Sequence, residues 1–131
     1  MTWLYIPEDL VESLSACSSE SEVQDVLSWR LGCRRRVSVS APGLPRVEAD
    51  LLCSGGLALE VKLNRRFYEG FGKVLALREL YGLDSALIHV VDSPSEELTL
   101  ALSRMASRLG VRVLLLDRSS LRVGRLGDWG P

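Results

Sequence analysis

The stretch "VEADLLCSGGLALEVKL", residues 47–63, decides how this chain folds. It reads as two strands joined by a turn at Ser54-Gly55-Gly56, a three-residue hairpin loop with glycine where positive φ is needed. With that turn, Cys53 faces Leu57, Leu51 faces Leu59 and Asp50 faces Glu60. Side chains alternate along a strand, so one face of the ribbon carries Val47, Ala49, Leu51, Cys53, Leu57, Leu59, Val61 and Leu63, all apolar. The other face carries Glu48, Asp50, Leu52, Ala58, Glu60 and Lys62. A one-residue slip in either strand would drive charges into the core, so the pattern pins the register.

Two carboxylates directly across a ladder sit about 5 Å apart at Cβ and destabilise the pair. A divalent cation removes that penalty, because hard oxygen ligands are what Mg²⁺ prefers. Such an ion orients phosphate and lowers the pKa of a bound water. Lys62 projects from the same face, where an ammonium can hold the attacking water or stabilise developing charge. The plainer alternative is a solvent-facing hairpin in which Glu48 pairs with Lys62 and the two acids tolerate each other. Lysine usage favours chemistry. Of sixteen basic residues, only Lys62 and Lys73 are lysine. Arginine cannot replace a compact ammonium that is able to lose its proton.

Outward from the hairpin, the chain reads as alternating helices and strands. A helix is expected to open after Pro7 and a second near Ser19, where Ser19 and Glu22 form a capping box. "RRRVSVS" (34–40) is strand-like, and "APGLPR" (41–46) is a loop. Residues 67–82 predict a helix stopped by Gly82, weakened early by Gly70 and Gly72. "SALIHVV" (85–91) has the continuous apolar run of a strand covered on both faces. A helix from a Ser93 cap with Pro94 at its first position to Gly110 follows, then the strand "VRVLLLD" (111–117) and a short final strand in "LRVGRL" (121–126). This order predicts an α/β layered domain with a mixed sheet.

A chain of 131 residues suits one domain, and 47% apolar with 25% charged residues is ordinary for a globular protein. No stretch approaches the roughly 18 uncharged apolar residues of a membrane span. The first residues lack the pattern of a signal peptide. Cys17, Cys33 and Cys53, odd in number and widely spaced, predict buried thiols in a reducing cytoplasm rather than a disulfide framework or zinc site. The net charge of −1 conceals an asymmetry: Arg30 to Arg78 holds ten basic and four acidic residues. That basic segment suits a polyanion, although a solvated basic face has the same composition. No Gly-rich phosphate loop follows a strand and leads into a helix, which argues against a nucleotide-dependent small-molecule enzyme.

At "EAD" (48–50) and "EVK" (60–62) the sequence resembles the PD-(D/E)XK nuclease superfamily, the fold of restriction endonucleases and archaeal Holliday-junction resolvases. The family pattern is an acid, a short spacer, then acid-x-Lys on the next strand of an αβββαβ core, a mixed sheet flanked by helices. The likeness covers about residues 19–92, leaving 93–131 as a C-terminal αβ elaboration of the same domain. Ala49 stands where proline is common. The resemblance implies a Mg²⁺- or Mn²⁺-dependent DNA endonuclease, acting on duplex or branched DNA as a homodimer, since duplex cutting needs two sites. Asp50 and Glu60, with the Val61 carbonyl, would bind the metal, and Lys62 would position the water. Lys73 occupies the place of a glutamine or lysine early in the family's helix. The acid of the leading helix is Glu22 or Glu20, with the capping role competing for Glu22. Arg34, Arg35, Arg36, Arg65, Arg66 and Lys73 would hold phosphates without reading bases. His89 is expected as a satisfied core histidine, and Phe67, Tyr68 and Phe71 as core packing. The competing expectation is a nuclease-fold nucleic-acid-binding or assembly module without turnover.

Overall fold

A computed structural model describes residues 4–130. The hairpin stands as expected: β2 (Val47–Leu52) and β3 (Leu57–Leu63) are antiparallel, with Leu51 opposite Leu59 and Leu52 opposite Ala58. Ser54–Gly56 forms a single 3-10 turn in which Gly55 and Gly56 both take φ of +82°. β1 (Arg34–Val39) pairs antiparallel with β2, and β4 (Asp84–Val91) and β5 (Arg112–Asp117) extend the sheet in parallel from β3. β6 (Arg122–Leu126) closes the far edge antiparallel. The six strands therefore lie in chain order in one mixed sheet.

Helices cover both faces. Val23 and Leu27 of α2 (Glu20–Leu31), with Leu10, Val11 and Leu14 in and after the short α1 (Leu10–Ser13), pack on Leu51, Leu59, Val61, Ile88 and Leu114. Phe71 and Val74 of α3 (Phe71–Glu79), with Leu102 and Ala106 of α4 (Glu96–Leu109), pack on Leu87, Val91, Val113 and Leu115. Odd- and even-numbered residues of β4 thus enter opposite cores, as the unbroken apolar run requires. Burying each large aliphatic side chain contributes roughly 1.5–3 kcal/mol.

Several local expectations need correction. The helix after Ser19 has half of the expected capping box: the Ser19 Oγ accepts from the Glu22 N–H at 3.1 Å, while the Glu22 carboxylate turns to Ser18, and the helix ends at left-handed Gly32. The opening helix is one turn from Leu10, not a run from Pro7. α3 begins at Phe71 rather than Phe67, because Gly70 adopts φ of +97° and breaks the first turn. α4 is capped by Ser95, whose Oγ accepts from Leu98 N–H at 3.0 Å, while Ser93 is left-handed at φ +52°. Ser93 and Pro94 therefore belong to the preceding turn.

The hairpin's apolar face also divides. Val47 and Ala49 pack with Ala58 and Leu77 instead of continuing the α2 core. The break falls at Asp50, whose partner Arg36 is missing from the β1–β2 ladder and takes φ of +50°. Cysteine usage differs most. Cys33 and Cys53 form a disulfide between the ends of β1 and β2, and only Cys17 is free and buried. The ground for expecting a reducing cytoplasm is thereby removed. Among the described residues no helix is long and apolar enough to cross a membrane.

Candidate active site

The β2–β3 ladder stops at Leu51–Leu59, one residue short of the two acids. Beyond it the strands part, and side chains fill the gap. The Asp50 N–H donates to Glu60 Oε2 at 2.9 Å, and the Val61 N–H donates to Asp50 Oδ2 at 2.9 Å. In a continued ladder the Val61 amide would meet the Ala49 carbonyl and the Asp50 amide would face β1; here both turn to carboxylates in the gap. A charge-assisted bond to an N–H is roughly twice as strong as a neutral one, and this offsets the repulsion between the acids. In a strand, the C=O of a residue points to the same side as its N–H. The Val61 carbonyl therefore faces the same gap as the Asp50 carboxylate.

Glu60 is 2% exposed, and Lys73 of α3 lies over it, Nζ to Oε1 at 3.1 Å. Lys73 also donates to the Glu48 carbonyl, tying α3 to β2. Burial pushes the Glu60 carboxyl above the usual range; the Asp50 charge adds to this, while the Asp50 N–H and Lys73 oppose it. Lys62 lies opposite His89 in the parallel ladder, on the same face as Glu60. It is half-buried and makes no ion pair or side-chain hydrogen bond among the described residues. The suggested Glu48–Lys62 pair is absent among them.

Of the two candidate acids of the leading helix, Glu20 is the one that reaches β3. Its Oε2 accepts from the Leu63 N–H at 3.3 Å, at the end of the strand that carries Glu60 and Lys62. Glu22 instead accepts from the Ser18 N–H and Oγ at 3.1 and 3.0 Å, holding the start of α2. Glu22 thus holds the start of the helix. Capping chemistry was the signal separating the two, since only Glu22 stands three residues after Ser19.

The arginines divide similarly. Arg35 is drawn back onto α2, reaching Ser21, Gln24 and Asp25, and is unsuited to a phosphate. Arg65 pairs with Glu69 at 2.9 Å. Arg34, Arg36 and Arg66 are exposed. Phe71 is core, but Phe67 and Tyr68 are 37% and 49% exposed and meet edge to face on the loop after β3, contrary to the packing expected for them. His89 is fully buried, with only one of its ring nitrogens bonded.

Asp50, Glu60 and the Val61 carbonyl supply hard oxygens around one gap, a donor set that fits Mg²⁺ or Mn²⁺. Among the described residues, no three His, Cys, Asp or Glu side chains converge as a metal cluster, so any ion here depends on two carboxylates and backbone oxygen. Comparison with protein-family models, curated proteins and solved structures finds no match to this chain.

Proposed function

We propose that the protein is a divalent-metal-dependent nuclease that hydrolyses phosphodiester bonds in DNA. The observation that carries this reading is the parted hairpin, where Glu60 accepts the Asp50 amide and Asp50 accepts the Val61 amide, with Lys73 on Glu60 and Lys62 on the same face of β3. The element order α2-β1-β2-β3-α3-β4 supports it, being the αβββαβ order that the sequence resemblance implies. Asp50, Glu60 and the Val61 carbonyl would hold the ion, which when bound polarises the phosphate and makes water a better nucleophile.

The chain's own residues do the rest. Lys62, free of a carboxylate partner, directs an N–H at the attacking water or a phosphate oxygen. Lys73 keeps Glu60 ionised and turned toward Asp50 despite its burial. Arg34, Arg36 and Arg66 attract the DNA backbone without reading sequence. Duplex cleavage calls for two copies of the site, hence a homodimer. Incubating the protein with plasmid and branched DNA in Mg²⁺ tests the reading. Wild type is expected to cut, and Glu60→Gln and Lys62→Ala to lose about 10²-fold or more. Cleavage surviving both substitutions overturns it.

A second reading rests on the same ion pair. Lys73 already neutralises Glu60, and Asp50 N–H occupies its other oxygen, an arrangement that also suits a DNA-binding module without turnover. Calorimetry separates the two. Mn²⁺ heat lost in Asp50→Asn supports the nuclease, whereas no heat alongside salt-sensitive DNA affinity supports the module.

A further inference from the structure

The catalytic reading leaves one buried group unused. His89 is the chain's only histidine and is fully buried on β4. Its Nε2 lies 3.2 Å from the Arg65 carbonyl oxygen. A carbonyl only accepts, so Nε2 carries the hydrogen and, in the neutral ring, Nδ1 presents a bare lone pair. That Nδ1 is buried and has no hydrogen-bond partner among the described residues. Burial favours the neutral ring by pushing its pKa down.

A buried acceptor without a donor is costly. The charged groups whose fields reach the ring are Glu20 of α2, Glu69 of the loop after β3, and Lys62 of β3. The two carboxylates have no proton to give. The Arg65 side chain is held by Glu69. Lys62 stands directly opposite His89 in the ladder, on a neighbouring strand about 4.8 Å away, and its ammonium is otherwise unpaired among the described residues. Its stem runs beneath Gly70, where an added Cβ would lie 3.4 Å from Lys62 Cγ.

We infer that His89 is a positioning residue for Lys62, its unpartnered Nδ1 accepting one hydrogen bond from the Lys62 ammonium once that side chain turns from the position it has here; the catalytic meaning of this contact rests on the nuclease reading above. The chemistry differs from a carboxylate partner. An imidazole lone pair fixes the ammonium in space without cancelling its charge, and two of its three N–H donors remain for water and phosphate. Lys73, bound to Glu60, has the opposite arrangement, which accounts for two lysines in one site.

One histidine and two lysines make the test direct. A long-range ¹H–¹⁵N spectrum of wild-type protein, without metal or DNA, contains a single imidazole. We expect an Nε2–H tautomer, a nuclear Overhauser contact between His89 Hε1 and a lysine ε-methylene, and an Nδ1 resonance that moves in Lys62→Met but not in Lys73→Met. The Overhauser contact needs no variant, so it decides the matter even if Lys62→Met fails to fold. A protonated Nδ1, a missing contact, or an Nδ1 resonance indifferent to Lys62 overturns the inference. Because neither metal nor DNA is present, that failure leaves the Asp50–Glu60 site standing, and a chain that cuts nothing leaves the contact standing.

Discussion

At Glu60 the chain keeps a carboxylate where water does not reach, and the cost has a definite sign with pH. Its folded pKa is raised above the ordinary 4.5, chiefly by burial. The folded state therefore binds the proton more tightly than the unfolded chain. Stability from this group is fully present below about pH 4.5 and is lost as pH rises through the folded value. Glu60→Gln removes the titration while keeping an oxygen for the Asp50 N–H. Thermal unfolding of the two proteins from pH 4 to 8 is expected to show the Gln variant gaining on wild type as pH rises, although it has lost activity. A constant difference across that range would mean that Glu60 is not held in its costly charged form.

Among elements, α3 and the loop before it form the lid of the site, and Gly70 is their junction. Its φ of +97° suits glycine, and a Cβ there would fall 2.6 Å from Leu87 Cδ1. Gly70→Ala is expected to lose about 2 kcal/mol in urea unfolding and to displace the Lys62 stem, lowering activity as well. Unchanged stability would mean that the loop is free to relax. The same junction explains a misread boundary. Helical spacing continues through Phe67 and Tyr68, but propensity is a weak guide beside a backbone that must turn. Spacing chose Ser93 as the cap, with Pro94 and Glu96 after it, whereas Ser95 carries the cap. The hairpin's turn and its Leu51–Leu59 pairing, in contrast, were legible, because a Gly-Gly turn between alternating residues left one register, but the single apolar face was not, since it divides at Asp50. The parting of its strands was not, since it depends on carboxylates competing with carbonyls for the Asp50 and Val61 amides.

Over the whole molecule, the element order and a mixed sheet followed from periodicity, whereas the strand order and the cysteine pairing did not. Cys33 meets Cys53 only once β1 is placed in register with β2, and the "APGLPR" loop gives no length rule for that register. The bridge closes a separation of 20 residues and fastens the end of the hairpin opposite the parted strands. Replacing both cysteines with alanine is expected to cost about 3 kcal/mol by loop-closure entropy, measured by denaturant unfolding under oxidising conditions. A loss below about 1 kcal/mol would show that the link constrains little in the unfolded chain. The basic excess between Arg30 and Arg78 is partly engaged elsewhere: Arg30, Arg35, Arg65 and Arg78 pair with Asp9, Asp25, Glu69 and Glu79, and of that segment Lys73 reaches Glu60.

The central claim is that Asp50 and Glu60 share a divalent cation in the gap between their strands. A crystal soaked in Mn²⁺ and measured at the manganese absorption edge tests it most directly. The account predicts an anomalous peak within coordinating distance of both carboxylates and the Val61 carbonyl, absent from Asp50→Asn crystals soaked alike. A gap without such a peak, with Lys73 still seated on Glu60, would contradict it.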